Sequence, residues 1–235
     1  MISKKSQLII FSGAGMSAES GLKTFRDNGG LWENHDVSKV ATPQAWLSDP
    51  ELVLRFYNER RKQLITAQPN KAHQLIAELE SKYEVTVITQ NIDDLHEKAG
   101  STNVVHLHGE LMKVQCEKNP MLIYEWTKPE LNLGDLSEKG HQLRPHVVWF
   151  GEEVPKMVEA MNLVQAADCF IVIGTSLNVY PAASLLHFLP DHTSCYLIDP
   201  KAQEFEMNKK WTLINASAVG GMSLLTEQLL GDLNH

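Results

Sequence analysis

The chain alternates short apolar runs with amphipathic stretches, and this alternation restricts the fold more than any other feature of the sequence. Each run is apolar or β-branched at nearly every position, as in a strand buried on both faces. The runs are Leu8–Phe11, Val85–Thr89, Val104–Leu107, Phe170–Gly174 and Tyr196–Asp199. Between them lie stretches such as Lys71–Lys82, where apolar residues recur on one helical face. The pattern predicts an α/β fold: a Rossmann-type, doubly wound parallel sheet with its ligand at the carboxyl ends of the strands.

Two segments interrupt this alternation. Residues 28–67 are helix-rich and contain bulky aromatic side chains, whereas residues 111–142 are polar and carry no evident pair of strands. We expect these two insertions to form one small lobe beside the sheet. The remaining residues, 1–27, 68–110 and 143–235, would then build a discontinuous Rossmann-type dinucleotide-binding domain.

The charge balance limits the partners of the chain. Its 235 residues include 21 Lys+Arg and 29 Asp+Glu, which gives a formal net charge of -8. This balance argues against nucleic acid as the main partner, because phosphate binding needs a basic surface. The acidic excess fits a lysine-bearing substrate, and it also fits plain solubility.

The sequence also indicates a cellular setting. Its 3 cysteines do not make a disulfide framework. The apolar run near the N-terminus is too short for a signal peptide, and no stretch approaches the length of a membrane span. We therefore expect a cytoplasmic protein that does not enter a membrane.

The loop Ser12–Gly21 follows the first predicted strand and leads into a predicted helix. Gly13, Gly15 and Ala18 satisfy the loose pattern G-x-G-x-x-G/A of dinucleotide-binding loops. Glycines let the backbone approach a phosphate, and a helix N-terminus offers it N–H groups; an ordinary strand-to-helix turn is the alternative. A hydride-transferring dehydrogenase also needs an acidic residue after a second strand about 20 residues on. Asp36 lies near that distance, but no predicted strand precedes it, so that class of enzyme is disfavoured.

Three polar side chains, Gln90, Asn91 and Asp93, follow the second apolar run. At the carboxyl end of a strand their amide and carboxylate groups are well placed to hold ribose hydroxyls or a carboxamide. Asn91 or Asp93 could instead cap the next helix. Capping accounts for one of them but hardly for all.

Two histidines lie at the end of the third run. His106 and His108 fall on the same side of a strand and could be metal ligands, but no Cys or third His lies within the usual ligand spacing. His108 precedes Gly109 and opens a loop at the ligand edge of the sheet, which suits a general base with a pKa near working pH. A purely structural histidine is the alternative.

Two later segments complete the predicted site. Arg144–Glu152 is apolar and aromatic and ends in a Gly-Glu turn, so it is either a buried strand or an exposed strand that pairs with a peptide. Gly174–Pro181 follows the fourth run and supplies hydroxyls and bare backbone. These groups suit a phosphate, a ribose or a plain turn.

Taken together, these segments resemble one family. The blocks that are similar to the sirtuins, in order and over nearly the whole chain, are GAGMSAESGLKTFRD, TQNIDDLHEKAG, HLHGE, RPHVVWFGE and GTSLNVYPAASL. The resemblance is closest to bacterial sirtuins able to remove succinyl groups, because Tyr57 and Arg60 form the Tyr-x-x-Arg pair of that group. It implies an NAD-dependent lysine deacylase, in which the acyl group of a protein lysine passes to ADP-ribose and nicotinamide is released. NAD would therefore be a co-substrate.

The resemblance also implies roles for individual residues. His108 would be the general base that deprotonates a ribose hydroxyl, with Asn91 as a second catalytic residue. The cofactor-binding positions would be Gly13, Ala14, Gly15, Ser17, Ala18, Phe25, Arg26, Trp32, Gln90, Asn91, Ile92, Asp93, Gly174, Thr175, Ser176, Asp199 and Ala218. The substrate-binding positions would be Tyr57, Arg60, Val147, Val148, Phe150, Gly151, Glu152, Asn178 and Val179. Asp199 stands where the family usually has Asn, and it would accept from the adenine-side ribose.

Tyr57 and Arg60 have a physical argument of their own. Three residues apart on a helix, they share a face. An arginine can hold the carboxylate of a succinyl, malonyl or glutaryl tail through two hydrogen bonds, and a phenol can add another. The alternative is a surface helix with Arg60 in solvent and Tyr57 merely packed. Ala41, a small residue beside the expected pocket, would leave room for a longer acyl group.

The chain departs from the family in the polar insertion. Most sirtuins carry four cysteines there, which bind a structural zinc ion, whereas residues 111–142 contain only Cys116. One thiolate, even with His141 nearby, does not build such a site, so we predict a degenerate zinc module without zinc. An apolar core would order the segment instead, made of Leu122, Ile123, Trp126, Leu131, Leu133 and Leu136.

The sequence therefore predicts an NAD-dependent protein lysine deacylase that removes acetyl and acidic acyl groups. Its partners would be acylated lysine side chains of proteins, and neither nucleic acid nor membranes. Two alternatives remain open at this point: a protein ADP-ribosyltransferase, and a non-catalytic NAD or ADP-ribose sensor. The retained His108, Asn91 and Asp93 weigh against the sensor.

Overall fold

The computed structural model describes residues 5–23, 31–32, 35–208 and 210–231. The strands in this part of the chain are β1 (Gln7–Ser12), β2 (Leu31–Trp32), β3 (His35–Asp36), β4 (Glu84–Thr89), β5 (Val104–His106), β6 (Gly109–Cys116), β7 (Asn119–Glu125), β8 (Leu143–Val147), β9 (Cys169–Ile173), β10 (Ser194–Asp199) and β11 (Trp211–Asn215). The α-helices are α1 (Val37–Val40), α2 (Pro43–Ser48), α3 (Pro50–Thr66), α4 (Lys71–Leu79), α5 (Leu95–Lys98), α6 (Met157–Val164) and α7 (Ala218–Gly231). Shorter 3₁₀ helices span Ala14–Ser20, Ala182–Phe188 and Ala202–Glu204.

A six-stranded sheet in the order β11-β10-β9-β1-β4-β5 forms the centre of the molecule, and every neighbouring pair in it is parallel. The predicted α/β fold with a doubly wound parallel sheet is confirmed. All five predicted runs are strands of this sheet, although the third ends at His106 rather than at Leu107 and the fourth at Ile173 rather than at Gly174. The sixth strand, β11, escaped prediction because it lies at the edge of the sheet, where its residues are half-buried or exposed and none is fully buried.

Both faces of the sheet are covered, which explains its continuous apolar strands. On one side Leu8 and Ile10 of β1 pack with α4 and α7, and on the other Ile9 and Phe11 pack with α6 and the 3₁₀ helix Ala182–Phe188. A strand buried on both faces has no solvent side to mark with polar residues.

The strand order reverses at β1. The chain runs from β1 to β4 and β5 on one side, and then to β9, β10 and β11 on the other. Loops that follow strands on either side of such a reversal leave a crevice between them at the carboxyl edge. The loops after β1, β4 and β9 therefore meet at the same place.

A second, smaller group of elements lies beside the sheet. It contains α1, α2 and α3 and an antiparallel sheet in the order β7-β6-β8, and these share one apolar core. The expectation that residues 111–142 lack a strand pair is wrong, because β6 and β7 form a hairpin there. Buried and partly exposed residues alternate along β6, so this strand carries no continuous apolar run. The predicted domain boundary between residues 142 and 143 stays a prediction. It assigns β8 to the domain of the parallel sheet, whereas β8 pairs with β6 in the sheet of the small lobe.

The apolar core predicted for the polar insertion is only partly correct. Leu131 is fully buried, and Leu122 and Trp126 pack against the same core. The prediction is wrong for Ile123, Leu133 and Leu136, whose side chains are exposed.

A side chain from α3 also holds this region in place. The Asn58 amide nitrogen donates to the Leu131 carbonyl at 3.0 Å, and the Asn58 amide oxygen accepts from the Leu131 backbone N–H at 2.9 Å. Cys116 lies in the same core with its thiol buried.

In the part of the chain that the structure describes, no helix combines the length and the apolar character needed to cross a bilayer. Cys116, Cys169 and Cys195 are buried and free of disulfides.

Candidate active site

One cleft lies at the reversal point of the sheet and collects most of the predicted site. The predicted residues that line it are Gly13, Ala14, Ser17, Tyr57, Arg60, Gln90, Asn91, Ile92, Asp93, His108, Val147, Val148, Phe150, Gly151, Glu152, Gly174, Thr175, Ser176 and Val179. Ala41, expected beside the pocket, also lines it.

Other predicted positions lie elsewhere. Those described by the structure but absent from the lining of the cleft are Gly15, Ala18, Asn178, Asp199 and Ala218. Phe25 and Arg26 lie outside the described residues, as does the side chain of Trp32. The roles of all these positions stay predictions.

Some lining residues had no individual role predicted for them. They are Leu22, Lys23, Gln63, Leu64, Leu111, Trp149, Val154, Tyr180 and Pro181. Of these, Trp149, Tyr180 and Pro181 lie within the two later segments assigned to the site, and Leu22 and Lys23 lie within the block GAGMSAESGLKTFRD. Helical spacing was a usable signal for two of them, because Gln63 and Leu64 lie one turn beyond Arg60 on α3. Apart from the charged Lys23, the remainder are apolar or turn-forming residues, and nothing in their type distinguishes them.

The glycines after β1 are required by close packing of two loops. The Gly13 N–H donates to the Ile173 carbonyl at 3.0 Å, and the Gly15 N–H donates to the Gly174 carbonyl at 2.8 Å. A Cβ on Gly13 would lie 2.7 Å from the Thr175 Cβ, and one on Gly15 would lie 2.8 Å from the Gly174 Cα. The two loops thus bring bare backbone together at the floor of the cleft. The helix that follows is 3₁₀ rather than α, so the loop continues as a tight turn.

Asn91, Asp93 and Ser17 join the loop after β4 to the loop after β1. The Asn91 amide nitrogen donates to the Gly13 carbonyl at 3.1 Å and to the Ser17 hydroxyl at 3.2 Å. The Ser17 hydroxyl in turn donates to the Asp93 carboxylate at 2.9 Å. Burial raises the pKa of Asp93 to about 6, and the bond from Ser17 opposes that shift.

Helix capping, the alternative for the polar residues after β4, accounts for only one of their hydrogen bonds. Asp93 accepts from the Leu95 N–H at 3.2 Å, next to the start of α5. Gln90 instead donates to the Thr175 hydroxyl at 2.9 Å and so links the loops after β4 and β9. Polar side chains from three loops are therefore held facing one cleft.

His108 has the protonation pattern of a base. Its ring Nδ1 lies 2.9 Å from the backbone carbonyl oxygen of Gln90. Because a carbonyl can only accept, this contact assigns the hydrogen to Nδ1 and leaves the lone pair on Nε2. Burial lowers the pKa of His108, although the bond to Gln90 opposes the shift. The ring is therefore neutral at pH 7, with a basic nitrogen, in a residue that lines the cleft.

His106, two residues earlier, is held in a structural ion pair. Its Nδ1 bonds to the Asn91 carbonyl at 3.0 Å, and its Nε2 lies 2.7 Å from the Glu97 carboxylate. Burial opposes protonation of this ring, but the hydrogen bond and charge of Glu97 outweigh it, so the pKa of His106 is raised. Both nitrogens are occupied, which argues against the metal pair with His108. Among the described residues, no group of three or more His, Cys, Asp or Glu side chains is arranged to hold a metal ion.

Tyr57 and Arg60 lie on the buried side of α3 and both reach the cleft. The Tyr57 hydroxyl accepts a hydrogen bond from the indole Nε1 of Trp149 at 3.1 Å. Burial raises the pKa of Tyr57, so its phenol stays protonated at neutral pH. Arg60 is only 7% exposed, and its guanidinium carbon lies 3.4 Å from the centre of the Phe56 ring. The alternative of a solvated Arg60 on a surface helix is therefore wrong.

The Gly-Glu turn is closed by an ion pair across the segment that precedes it. Arg144 donates to both carboxylate oxygens of Glu152, at 2.7 and 2.9 Å. Glu152 also accepts from the Trp149 backbone N–H at 2.8 Å. The Phe150 N–H donates to the Ala41 carbonyl at 3.0 Å, which ties the turn to the small lobe.

Comparison with known proteins identifies the family of the chain. The profile of the Sir2 family matches residues 13–181. An NAD-dependent protein deacylase of Helicobacter pylori strain J99 is 55% identical over 223 residues, which cover 95% of this chain and 95% of that protein. An NAD-dependent protein deacylase of Bacteroides thetaiotaomicron is 51% identical over 229 residues, with 95% and 97% coverage.

Solved structures give the same result. A Sir2 homologue in complex with NAD is 40% identical, has a TM-score of 0.87, and is matched over 98% of this chain and 91% of its own. A mutant of a Sir2 homologue in complex with ADP-ribose is 39% identical, also with a TM-score of 0.87, over 99% of this chain and 95% of its own. The match spans the sheet, the small lobe and the cleft between them, and the chain belongs to the Sir2 family, the sirtuins.

Proposed function

We propose that this protein is an NAD-dependent protein lysine deacylase that removes acetyl and succinyl-type groups. The acyl group passes from lysine to ADP-ribose, and nicotinamide is released. The observation that carries the proposal is the neutral His108, whose basic nitrogen belongs to a cleft shared with Asn91 and Asp93. The names of the Helicobacter and Bacteroides relatives support the same activity.

The features of the cleft fit NAD as co-substrate. Bare backbone at Gly13–Ala14 and Gly174–Ser176 lies in the lining of the cleft and suits the diphosphate. Asn91 and Asp93 offer amide and carboxylate groups at the carboxyl end of β4, where ribose hydroxyls and a carboxamide are bound in such folds.

Membership of the sirtuin family implies the course of the reaction. The acyl oxygen of the modified lysine attacks the ribose carbon, and nicotinamide leaves with the electron pair of the broken C–N bond. His108 takes the proton from a ribose hydroxyl, and that oxygen bonds to the acyl carbon. Addition of water and loss of the lysine amine then give lysine and O-acyl-ADP-ribose. Val147, Val148 and Phe150 line the cleft and offer the acyl-lysine a nonpolar wall.

We assign the acidic end of the acyl group to Tyr57 and Arg60. Both line the cleft, both are buried, and the phenol stays protonated and able to donate. A buried guanidinium beside a phenol binds a carboxylate through charge-assisted hydrogen bonds. An acetyl group lacks that carboxylate and gains nothing from the pair.

We also propose that the small lobe works without zinc. Its remaining cysteine, Cys116, is packed in the apolar core, where its thiol accepts from the Ser137 hydroxyl at 3.6 Å. The bonds between Asn58 and Leu131 connect the same region to α3. Apolar packing and these bonds supply the order that a metal supplies elsewhere.

The partners and the compartment follow from the reaction. The substrates are acylated lysine side chains of proteins, and the net charge of -8 disfavours nucleic acid. We place the protein in the cytoplasm, in agreement with its unpaired, buried cysteines.

The test is mass spectrometry of one peptide carrying acetyl-lysine or succinyl-lysine, incubated with and without NAD. The unsubstituted protein should release both acyl groups only with NAD, and O-acyl-ADP-ribose should form. His108→Asn should lower kcat by about 10²- to 10⁴-fold, because it keeps a donor toward Gln90 but has no basic nitrogen.

His192→Asn is the matched control. His192 is exposed and precedes β10, at the amino edge of the sheet and away from the cleft, so its substitution should leave kcat unchanged. Transfer of ADP-ribose to protein without loss of acyl groups would favour an ADP-ribosyltransferase. No consumption of NAD with either peptide would leave the sensor as the better explanation.

A further inference from the structure

Trp149 is a buried residue of the cleft with a specific hydrogen bond to Tyr57. Its side chain is 2% exposed, and its indole Nε1 donates to the Tyr57 hydroxyl at 3.1 Å. An indole N–H can only donate, so in this bond the hydroxyl oxygen must be the acceptor. The phenolic proton therefore points away from Trp149.

The indole ring itself is fixed on several sides. The guanidinium carbon of Arg144 lies 3.6 Å from the centre of the indole, and the Trp46 ring packs at 5.8 Å. Arg144 is in turn held by both oxygens of Glu152 and by the Val147 carbonyl. The backbone N–H of Trp149 donates to the same carboxylate. The ion pair between Arg144 and Glu152 thus holds both the indole ring and the backbone of Trp149.

This arrangement connects the Gly-Glu turn to the acyl end of the cleft. Tyr57 is on α3 and Trp149 is on the segment after β8, 92 residues away in the chain. A hydroxyl on an unconstrained phenol rotates and samples several directions. A fixed indole donor restricts it to directions in which its proton is available to an acceptor other than Trp149.

We propose that Trp149 is a positioning residue for acidic acyl groups: it orients the Tyr57 hydroxyl so that the phenolic proton is directed at the carboxylate of a succinyl-type tail. The proposal rests on the function proposed above. Arg144 and Glu152 act one step further back, by holding the indole in place. Trp149 makes no contribution of this kind to an acetyl group, which presents no carboxylate.

Packing alone gives a different expectation. If Trp149 served only as a large apolar side chain, its N–H would be irrelevant, and Trp149→Phe would affect both acyl substrates in the same proportion. The ratio of the KM for a succinyl-lysine peptide to the KM for the same peptide with acetyl-lysine separates the two roles. Effects on peptide binding, NAD binding and folding cancel in that ratio.

The experiment is a double-mutant cycle on this KM ratio, with Tyr57→Phe and Trp149→Phe. Each single substitution should raise the ratio about fivefold, the size expected for one lost hydrogen bond. The double substitution should raise it no more than the larger single effect, because both substitutions remove the same bond. An unchanged ratio in Trp149→Phe, or a double effect equal to the product of the single effects, would overturn the proposal.

Trp126→Phe is the matched control. It removes an indole N–H of the small lobe that donates to the Glu130 carbonyl at 3.0 Å and not to Tyr57, so the ratio should stay constant. If Trp149→Phe proves unfolded by its melting curve, Glu152→Gln decides the matter. That change weakens the support of the indole and should raise the ratio about twofold; no rise would overturn the proposal.

The proposed function itself fails separately in this design. If the unsubstituted protein removes neither acyl group with NAD, the activity is wrong. If it removes both and the ratio does not respond to Trp149→Phe, only the role of Trp149 is wrong.

Discussion

The parallel sheet and the small lobe build their parts of the cleft in different ways. On the sheet side the backbone of Gly13 and Gly15 touches that of Gly174, and hydrogen bonds between loops fix the spacing. On the lobe side the wall consists of side chains from α3, such as Tyr57 and Arg60, held by other side chains. Backbone packed on backbone admits almost no substitution, whereas a wall of side chains can change from one protein to another without moving the chain. A constant co-substrate suits the first construction, and a variable acyl group suits the second.

The largest effect should come from adding a methyl group to the sheet side. Gly174 has φ +63, and a Cβ there would lie 2.3 Å from the Met16 backbone nitrogen. We expect Gly174→Ala to lower the free energy of unfolding by about 3 kcal/mol or more. Gly140→Ala in the small lobe is the matched change, since Gly140 has φ +75 but no atom within 4 Å of a new Cβ. It should cost about 1 kcal/mol of backbone strain. Urea unfolding of both variants measures the two losses in free energy of unfolding. Equal losses would show that the backbone is packed no more tightly on the sheet side than in the small lobe.

The next largest effect on stability should come from the apolar core of the small lobe, which we propose is ordered without zinc. Leu131 is fully buried and Leu133 is 48% exposed, two positions apart in the same segment. Leu131→Ala should lower the free energy of unfolding by about 2 to 4 kcal/mol, because it opens a cavity in the core. Leu133→Ala should change it by about 0.5 kcal/mol at most. Thermal melts of the pair test the corrected core, and equal losses would restore the core predicted from the sequence, which contained both leucines.

If the wall formed by side chains of α3 binds the acyl group, a substitution in it should change the specificity for that group. Arg60→Met removes the charged partner of a carboxylate and keeps the length of the side chain. The KM for a succinyl-lysine peptide should rise about 10- to 100-fold relative to that for the acetyl-lysine peptide. Arg55→Met is the control on the same helix, since Arg55 is exposed and pairs only with Glu51 among the ion pairs of the described residues. Equal losses on both peptides would mean that Arg60 stabilises the lobe rather than binding the tail.

The smallest effect is a difference in titration between the two histidines at the junction of the regions. Burial lowers the pKa of His108 below its usual 6.5, whereas Glu97 raises the pKa of His106 above it. Because the pKa of His106 is higher in the folded than in the unfolded chain, this group stabilises the fold. The full stabilisation is present at pH values below the unfolded pKa, near 6.5, and it is lost as the pH rises through the pKa of His106 in the folded chain. The lowered pKa of His108 acts in the opposite sense, because the fold loses stability as pH falls below 6.5.

NMR titration of the ring protons, with His106→Asn and His108→Asn for assignment, measures both values. The acid limb of kcat/KM should also lie below pH 6.5, where His108 and Asp93 take up protons. A His108 value above that of His106 would contradict the assigned hydrogen bonds.

The sheet side was also the region that the sequence describes well. Its strands are apolar on both faces, so each run is visible without knowledge of its neighbours, and the reversal of strand order brings the following loops together. The polar residues after β4 and His108 after β5 were found for that reason. The small lobe was described less well, because β6 buries one face only and the exposure of Leu133 depends on contacts far away in the chain. The partnership of Trp149 with Tyr57 has no local signal at all, since its members are 92 residues apart.

The sequence by itself determined the family, the parallel sheet and the set of loops that carry the chemistry, because these depend on local patterns: apolar runs, glycine positions and polar residues just after strands. Only the tertiary structure decided which nitrogen of His108 keeps its lone pair, why His106 is not its metal partner, and how Trp149 and Arg144 support Tyr57. Hydrogen-bond direction and burial are properties of neighbours in space. Neighbours in space are fixed only when the strands and helices have packed.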